Sequence, residues 1–158
     1  MTQIILPSDA NALHTAFGGR VMSWIDIAAA VAAERHCRQN VVTASMDDLH
    51  FVSAVKVGWI VTVRARVIAT FHTSMEVGVT VTAEDPLTGE QHLTTSALMT
   101  FVALGPDGRK RRVPPLKLET PAEQRAAEEA VRRREERIAR KDAGRTWQSV
   151  VGLPRSLR

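Results

Sequence analysis

The first long apolar segment of the chain has the pattern of a helix. From Gly18 to Cys37 the sequence reads GGRVMSWIDIAAAVAAERHC, and its apolar residues point in almost every direction around a helical projection. A helix that is apolar all round is typical of one enclosed by protein. The alanines in its second half would let a sheet approach closely. We therefore predict a central helix that packs against a sheet.

After this helix the apolar pattern changes to the period of β-strands. Turn sequences at 85–89 and 105–108 separate the later segments. Sequential strands joined by short turns favour an antiparallel sheet, and a sheet covered by one helix belongs to the α+β class. The predicted strands lie at 41–46, 49–52, 59–69, 73–84 and 92–104.

The segment 117–158 differs from the body of the chain in both pattern and charge. Thr120, Pro121 and Glu123 form a capping-box helix start, and acid–base pairs four residues apart follow it. Residues 109–158 hold 15 Lys/Arg and 7 Asp/Glu, whereas the other residues hold 6 and 10. We predict a mildly acidic domain over 1–116, then a basic helix that ends near Gly144 and a loosely ordered tail.

Composition limits the kind of protein this can be. The chain has 158 residues, of which 44% are apolar and 24% charged, as in an ordinary globular domain. No apolar run approaches the roughly 18 residues of a membrane helix, and no basic-then-apolar leader opens the chain. The single cysteine, Cys37, has no partner for an internal disulfide. We expect a cytoplasmic protein without membrane insertion.

One carboxylate, Asp26, interrupts the apolar helix. Burying an unpaired carboxylate costs several kcal/mol, so Asp26 has either a structural partner or a catalytic task. The pair Gly18–Gly19 would let a ligand approach backbone N–H groups at the positive end of the helix, where an anion or a carbonyl oxygen can bind. A tight join between loop and helix explains the two glycines equally well.

Other chemistry finds little support in the sequence. The histidines at positions 14, 36, 50, 72 and 92 lack the close spacing of metal ligands, and no Walker loop or G-x-S-x-G elbow is present. The arginine-rich helix contains interleaved acids and no aromatic residues, which favours a solvated helix over a nucleic-acid interface. We expect no metal, no cofactor and no nucleic-acid partner.

Four segments in order resemble the hotdog-fold acyl-CoA thioesterases, especially the cytosolic acyl-CoA hydrolase and brown-fat thioesterase group. They are NALHTAFGGRVMSWID (11–26), VVTASMDDLHF (41–51), TSMEVGV (73–79) and TFVAL (100–104). The resemblance implies a long helix wrapped by a curved antiparallel sheet over 1–116. It also implies hydrolysis of acyl-CoA to a fatty acid and coenzyme A by homo-oligomers, as dimers joined edge to edge and often as hexameric trimers of dimers.

The resemblance also assigns roles to single residues. The catalytic acid of the family falls on Asp26 and its active-site asparagine on Asn11, and the two would come from opposite subunits. The backbone at Gly18 and Gly19 would polarise the thioester carbonyl. The remaining expected contacts to coenzyme A, which is part of the substrate, are Ala44, Ser45, Met46, Thr73, Ser74, Met75, Arg133 and Arg134.

Two departures and one competing function accompany the resemblance. Many relatives have glycine where this chain has His14, and an acid or amide is common at the position of Trp59. His14 would narrow the acyl pocket, orient water or be a neutral replacement. A non-catalytic acyl-CoA binding or sensing protein would share the fold, although the presence of both Asn11 and Asp26 favours catalysis. A dehydratase would need a different Asp/His arrangement, which the sequence lacks.

Overall fold

The computed structural model describes residues 1–142, which belong to two compact units divided between Lys117 and Leu118. The first unit holds helix α1 (Gly18–Cys37) and a five-stranded sheet, and the second holds helix α2 (Pro121–Asp142). The predicted helix end near Gly144 and the predicted tail lie outside the described residues. Neither described helix combines the length and apolarity that a membrane crossing requires.

The sheet is antiparallel throughout, as predicted. Its strands stand in the order β1-β3-β4-β5-β2, so that β1 and β2 form the two edges. The two short strands predicted at 41–46 and 49–52 are one strand, because the polar step between them becomes a bulge with Asp48 in a left-handed conformation (φ 50°). The strands are β1 (Thr2–Ile4), β2 (Asn40–Phe51), β3 (Ile60–Thr70), β4 (Ser74–Glu84) and β5 (Gln91–Leu104).

Helix α1 lies against the inner face of this sheet. Its most buried residues recur every four positions and form one stripe along the helix. The alanines in this stripe, Ala29 and Ala33, are fully buried, which confirms the predicted close approach of the sheet. The stripe packs on alternating strand residues in the hydrophobic core, which include Val61, Val77, Val79, Val81, Met99 and Phe101.

The opposite side of α1 is more exposed than its sequence predicts. Met22, Ile27 and Val31 expose 38%, 50% and 40% of their surface in the single chain. The prediction of a helix enclosed on every side is therefore wrong for one protomer, because the sheet covers only one face. Within the described part of the chain, Ile27 and Val31 lie four positions apart on one side of α1, and Met22 lies on a flank of the helix.

The second unit begins as its sequence predicts. The Glu123 N–H donates to Thr120 Oγ1 (3.2 Å), and the Thr120 N–H donates to Glu123 Oε2 (3.1 Å), which completes a capping box at the start of α2. Further along the helix Arg133 pairs with Glu129 at 3.7 Å. Such exposed pairs stabilise a helix by about 0.2–0.5 kcal/mol each.

Candidate active site

Asp26 has a partner and also remains accessible. It is half-buried on α1, and its Oδ1 accepts a hydrogen bond of 2.7 Å from the hydroxyl of Thr43 on the edge strand β2. No other hydrogen bond to Asp26 comes from residues 1–140, so Oδ2 is available to a water molecule or a substrate. The fold therefore relieves the burial cost that the sequence implied and still leaves a usable lone pair.

Thr43 is the site residue that sequence reasoning missed. It directly precedes the predicted segment Ala44–Met46, where the register of β2 against β5 shifts after Thr43. Several other threonines occur in the strands, and nothing in the alternating pattern distinguishes the hydroxyl of Thr43 from theirs. Only the packing of α1 on β2 shows which threonine reaches Asp26.

Asn11 lies in a tight loop that fixes the orientation of its amide. Its Oδ1 accepts hydrogen bonds from the N–H groups of Leu13 (2.9 Å) and Thr15 (3.3 Å), and its Nδ2 donates to Thr15 Oγ1 (3.0 Å). The amide oxygen is thus used inside the loop, whereas Nδ2 keeps a second hydrogen. Asn11 can therefore serve a ligand only as a hydrogen-bond donor.

His14 occupies the tip of the same loop in a left-handed backbone conformation, with φ of 56°. Its N–H donates to the carbonyl oxygen of Asn11 at 3.0 Å, and its side chain is exposed. This conformation suits glycine, which is the residue that the resemblance leads us to expect at this position. The structure thus explains the backbone conformation of His14. Within the described residues its imidazole makes no hydrogen bond or ion pair.

The start of α1 presents two backbone donors without acceptors. The N–H groups of Arg20 and Val21 both donate to the carbonyl oxygen of Phe17, at 2.9 and 3.2 Å. Within the described residues neither the Gly18 nor the Gly19 N–H has an acceptor, and no side chain caps the helix. These two groups point from the positive end of a helix and can polarise a carbonyl oxygen.

The absence of side chains at Gly18 and Gly19 makes room for two aromatic rings. A Cβ added at Gly19 would lie 2.6 Å from a ring carbon of Phe17, and one at Gly18 would lie 3.4 Å from the tip of Phe51. Both rings are at least half exposed. A cavity of about 360 Å³ beside Gly18 has a mainly apolar lining that includes Ala16, Val21, Phe51, Val52 and Val55.

No hydrogen bond joins Asn11 to Asp26 within the protomer. The hydrogen bonds of the Asn11 side chain stay within residues 11–15, and the partner of Asp26 lies on β2. Asp26 also follows Gly18 by two turns, which corresponds to about 12 Å along a helix. The Asn11 loop therefore leads into the start of α1, whereas Asp26 lies further along the same helix.

The predicted coenzyme A contacts fall in three places. Ser45 on β2 pairs with Thr100, and Ser74 on β4 pairs with Val102, so both predicted strand segments flank the same stretch of β5. Met75 is fully buried in the core, which leaves its side chain out of reach of a ligand in the protomer. The backbone alternation puts Ser74 on the other face. Arg133 and Arg134 lie on α2 in the second unit.

The described residues form no metal-binding cluster. Among residues 1–140 no group of three His, Cys, Asp or Glu side chains is placed to hold a metal ion. The chemistry on offer consists of a carboxylate, a strand hydroxyl, one amide donor and two free backbone N–H groups beside an apolar cavity. These groups are sufficient for base-assisted hydrolysis of an activated acyl group.

The fold, one long helix packed on a five-stranded antiparallel sheet, is that of a hotdog protein. Residues 13–90 match the thioesterase superfamily. Mouse acetyl-coenzyme A thioesterase is 38% identical over 87% of this chain, which spans only 25% of that relative's length. An uncharacterized acyl-CoA thioester hydrolase of Bacillus subtilis is 38% identical over 96% of this chain and 88% of its own. The chain belongs to the acyl-CoA thioesterases of this superfamily.

Solved structures lead to the same family. A hexameric acyl-CoA thioesterase superposes with a TM-score of 0.85 at 41% identity, over 89% of this chain and 90% of its own. An acyl-CoA hydrolase from Staphylococcus aureus in complex with coenzyme A gives 0.87 at 32% identity, over 98% and 92%. The predicted hotdog fold and the predicted family are therefore both confirmed.

Proposed function

We propose that this protein hydrolyses acyl-CoA thioesters to coenzyme A and a fatty acid, with Asp26 as the general base. The observation that carries the assignment is the Asp26 carboxylate, which is oriented by Thr43 through one oxygen and accessible through the other. A general base needs a free lone pair at hydrogen-bond distance from the water it activates. The names of the relatives support the substrate class.

In the proposed reaction Asp26 takes a proton from water as the water oxygen adds to the thioester carbonyl. The carbonyl oxygen becomes negatively charged, and the Gly19 N–H and the Asn11 amide donate hydrogen bonds to it. The tetrahedral intermediate then collapses, the C–S bond breaks and the proton on Asp26 passes to the departing thiolate. Direct attack by Asp26 through an anhydride is the competing route.

We infer that Asn11 and Asp26 act from opposite subunits. The absence of a hydrogen bond between their side chains within the described part of one protomer supports this arrangement. The Staphylococcus aureus hydrolase has been solved with alanine in place of an asparagine, an aspartate or a threonine. Those three positions are fifteen and seventeen residues apart, which are also the intervals between Asn11, Asp26 and Thr43 in this chain. The same hydrolase was observed with butyryl-CoA.

We further propose that the chain assembles into dimers that associate as a trimer of dimers. Hexameric thioesterases among its structural neighbours support this state, and sedimentation velocity of the purified protein would measure it. A cytoplasmic location is the corresponding expectation. It is supported by a human cytosolic acyl coenzyme A thioester hydrolase that is 34% identical over 82% of this chain.

The test is release of thiol from a panel of acyl-CoAs of increasing chain length. We expect Asp26→Asn to lower kcat by roughly 10²–10⁴-fold, the usual contribution of a general base. Glu34→Gln, which neutralises an exposed acid on the same helix, is the matched control and should retain activity. Binding of acyl-CoA without thiol release by the wild-type protein would overturn the hydrolase and favour the sensing function.

A further inference from the structure

Asp9 is a nearly buried carboxylate that joins three segments of the chain. Its Oδ1 lies 2.9 Å from Nε of Arg20, and the Asp9 side chain is only 10% exposed. Its Oδ2 accepts a hydrogen bond from the Leu6 N–H (3.1 Å), and its carbonyl oxygen accepts one from the Phe17 N–H (2.8 Å). One residue therefore connects the N-terminal lead-in, the residue before α1 and the first turn of α1.

The two ends of the Asn11 loop meet at the backbone of Asp9. The loop leaves Asp9 and returns at Phe17, and its two strands meet in a bridge between Ala10 and Ala16. The Asn11 N–H also donates to the carbonyl oxygen of Thr15 at 2.8 Å. Because Arg20 belongs to the first turn of α1, its ion pair with Asp9 fixes the loop relative to Gly18 and Gly19.

Helix stability does not explain an arginine at this position. The positive end of a helix macrodipole disfavours cations, and the first turn of α1 contains no acidic residue that would offset the charge. Asp9 offsets it from outside the helix. A charge-assisted hydrogen bond with a mostly buried acceptor is also stronger and geometrically more restrictive than an exposed ion pair.

We propose that Asp9 and Arg20 are positioning residues, which hold the amide of Asn11 and the free N–H groups of Gly18 and Gly19 in one fixed arrangement. This inference rests on the proposed function, in which those donors stabilise the oxyanion. Oxyanion donors act only when they are held within fractions of an ångström of the reacting oxygen, and a displacement of about 1 Å can lower the rate about 10²-fold.

The first experiment compares Asp9→Asn and Arg20→Gln with wild type in steady-state hydrolysis, at a temperature where each variant is fully folded. We expect kcat to fall by roughly 10–100-fold, with KM changed less than about threefold, because the lost alignment concerns the transition state. The double variant should lose no more than the worse single variant, since both substitutions break one contact. Arg35→Gln, an exposed arginine of the same helix, should leave kcat unchanged.

A second measurement does not depend on activity. Amide hydrogen exchange of residues 10–17 should become faster in Arg20→Gln than in wild type, whereas exchange in the centre of α1 should not change. Unchanged exchange in the loop, or kcat equal to that of wild type in both single variants, would overturn the proposal. If wild-type protein releases no thiol but the loop still loosens in Arg20→Gln, only the proposed function fails and the structural clamp stands.

Discussion

The sequence and the fold give different information about Asp26. In the sequence it is an acid inside an apolar run, and the cost of burial indicates a partner or a catalytic task without deciding between them. In the fold it has a partner, because Thr43 donates to one oxygen, and the other oxygen stays accessible for the catalytic task that we propose. The hydroxyl restricts the rotation of the carboxylate and determines which oxygen meets water.

This arrangement predicts the effect of removing one hydroxyl. Thr43→Val keeps the shape of the side chain but cannot donate to Asp26. A hydrogen bond to a charged group contributes about 1.5–3 kcal/mol, so we expect kcat to fall roughly 10–100-fold. Stability should change little, because Thr43 is exposed on an edge strand. Steady-state kinetics and a urea titration measure the two quantities.

Thr43→Ser is the matched control, since it retains the hydroxyl and loses only a methyl group. It should keep most of the wild-type kcat. If the valine variant were as active as the serine variant, the hydrogen bond would have no role in orienting Asp26. The result would leave the assignment of Asp26 itself untouched.

Among the secondary-structure elements, α2 has a charge pattern that its own stability does not explain. Its capping box and its acid–base pairs explain why it is a helix, but they do not explain the excess of arginine. The resemblance assigns Arg133 or Arg134 to the nucleotide of coenzyme A. Nucleotide phosphates remain bound through substrate binding and the transition state, so contacts to them contribute uniform binding energy.

For α2 we therefore predict a change in KM alone. Arg133→Gln or Arg134→Gln should raise KM for acyl-CoA by up to about fivefold, the value of one exposed charge contact, and should leave kcat unchanged. The difference in KM between variant and wild type should become smaller at high salt, because salt screens the arginine–phosphate attraction in the wild-type protein. Kinetics at two ionic strengths measure both effects.

Arg132→Gln provides the comparison on the same helix, because Arg132 is an exposed neighbour that the resemblance does not assign to the nucleotide. An equal rise of KM in this variant would mean that the helix attracts the substrate only by its general charge. No rise in any of the three variants would contradict a contact between α2 and coenzyme A.

At the scale of the whole molecule, one protomer leaves the proposed site without a complete set of catalytic groups. Asn11 and Asp26 share no hydrogen bond within the protomer, and Ile27 and Val31, four positions apart on α1, are exposed apolar residues. The sheet ends at the edge strand β2, which also carries the partner of Asp26. Both observations agree with the proposal that a second copy completes the site.

Mixed oligomers test this directly. Asn11→Ala and Asp26→Asn should each be nearly inactive alone, but subunits of the two variants refolded together should form dimers in which one of two sites is intact. Random pairing in a symmetric dimer would restore about a quarter of the wild-type activity. Refolding each variant with itself is the control. Failure of the mixture to regain activity would place Asn11 and Asp26 in the same subunit.

The sequence by itself determined the elements and the chemistry of single residues. Period-two alternation and turn residues located the strands, because each strand has one face in the core. The long apolar run that begins at Gly18 located α1. Local rules also identified the α2 capping box, and four segments in order carried the resemblance to the family. All of these depend on interactions between residues close in sequence or on their burial.

The tertiary structure decided what depends on residues distant along the chain. It selected Thr43 as the partner of Asp26, Asp9 as the partner of Arg20, and the core instead of the surface for the side chain of Met75. It merged two predicted strands into β2 and left one face of α1 uncovered. A linear pattern records how apolar a position is, whereas the direction and partner of each side chain follow only from the packing of helix on sheet.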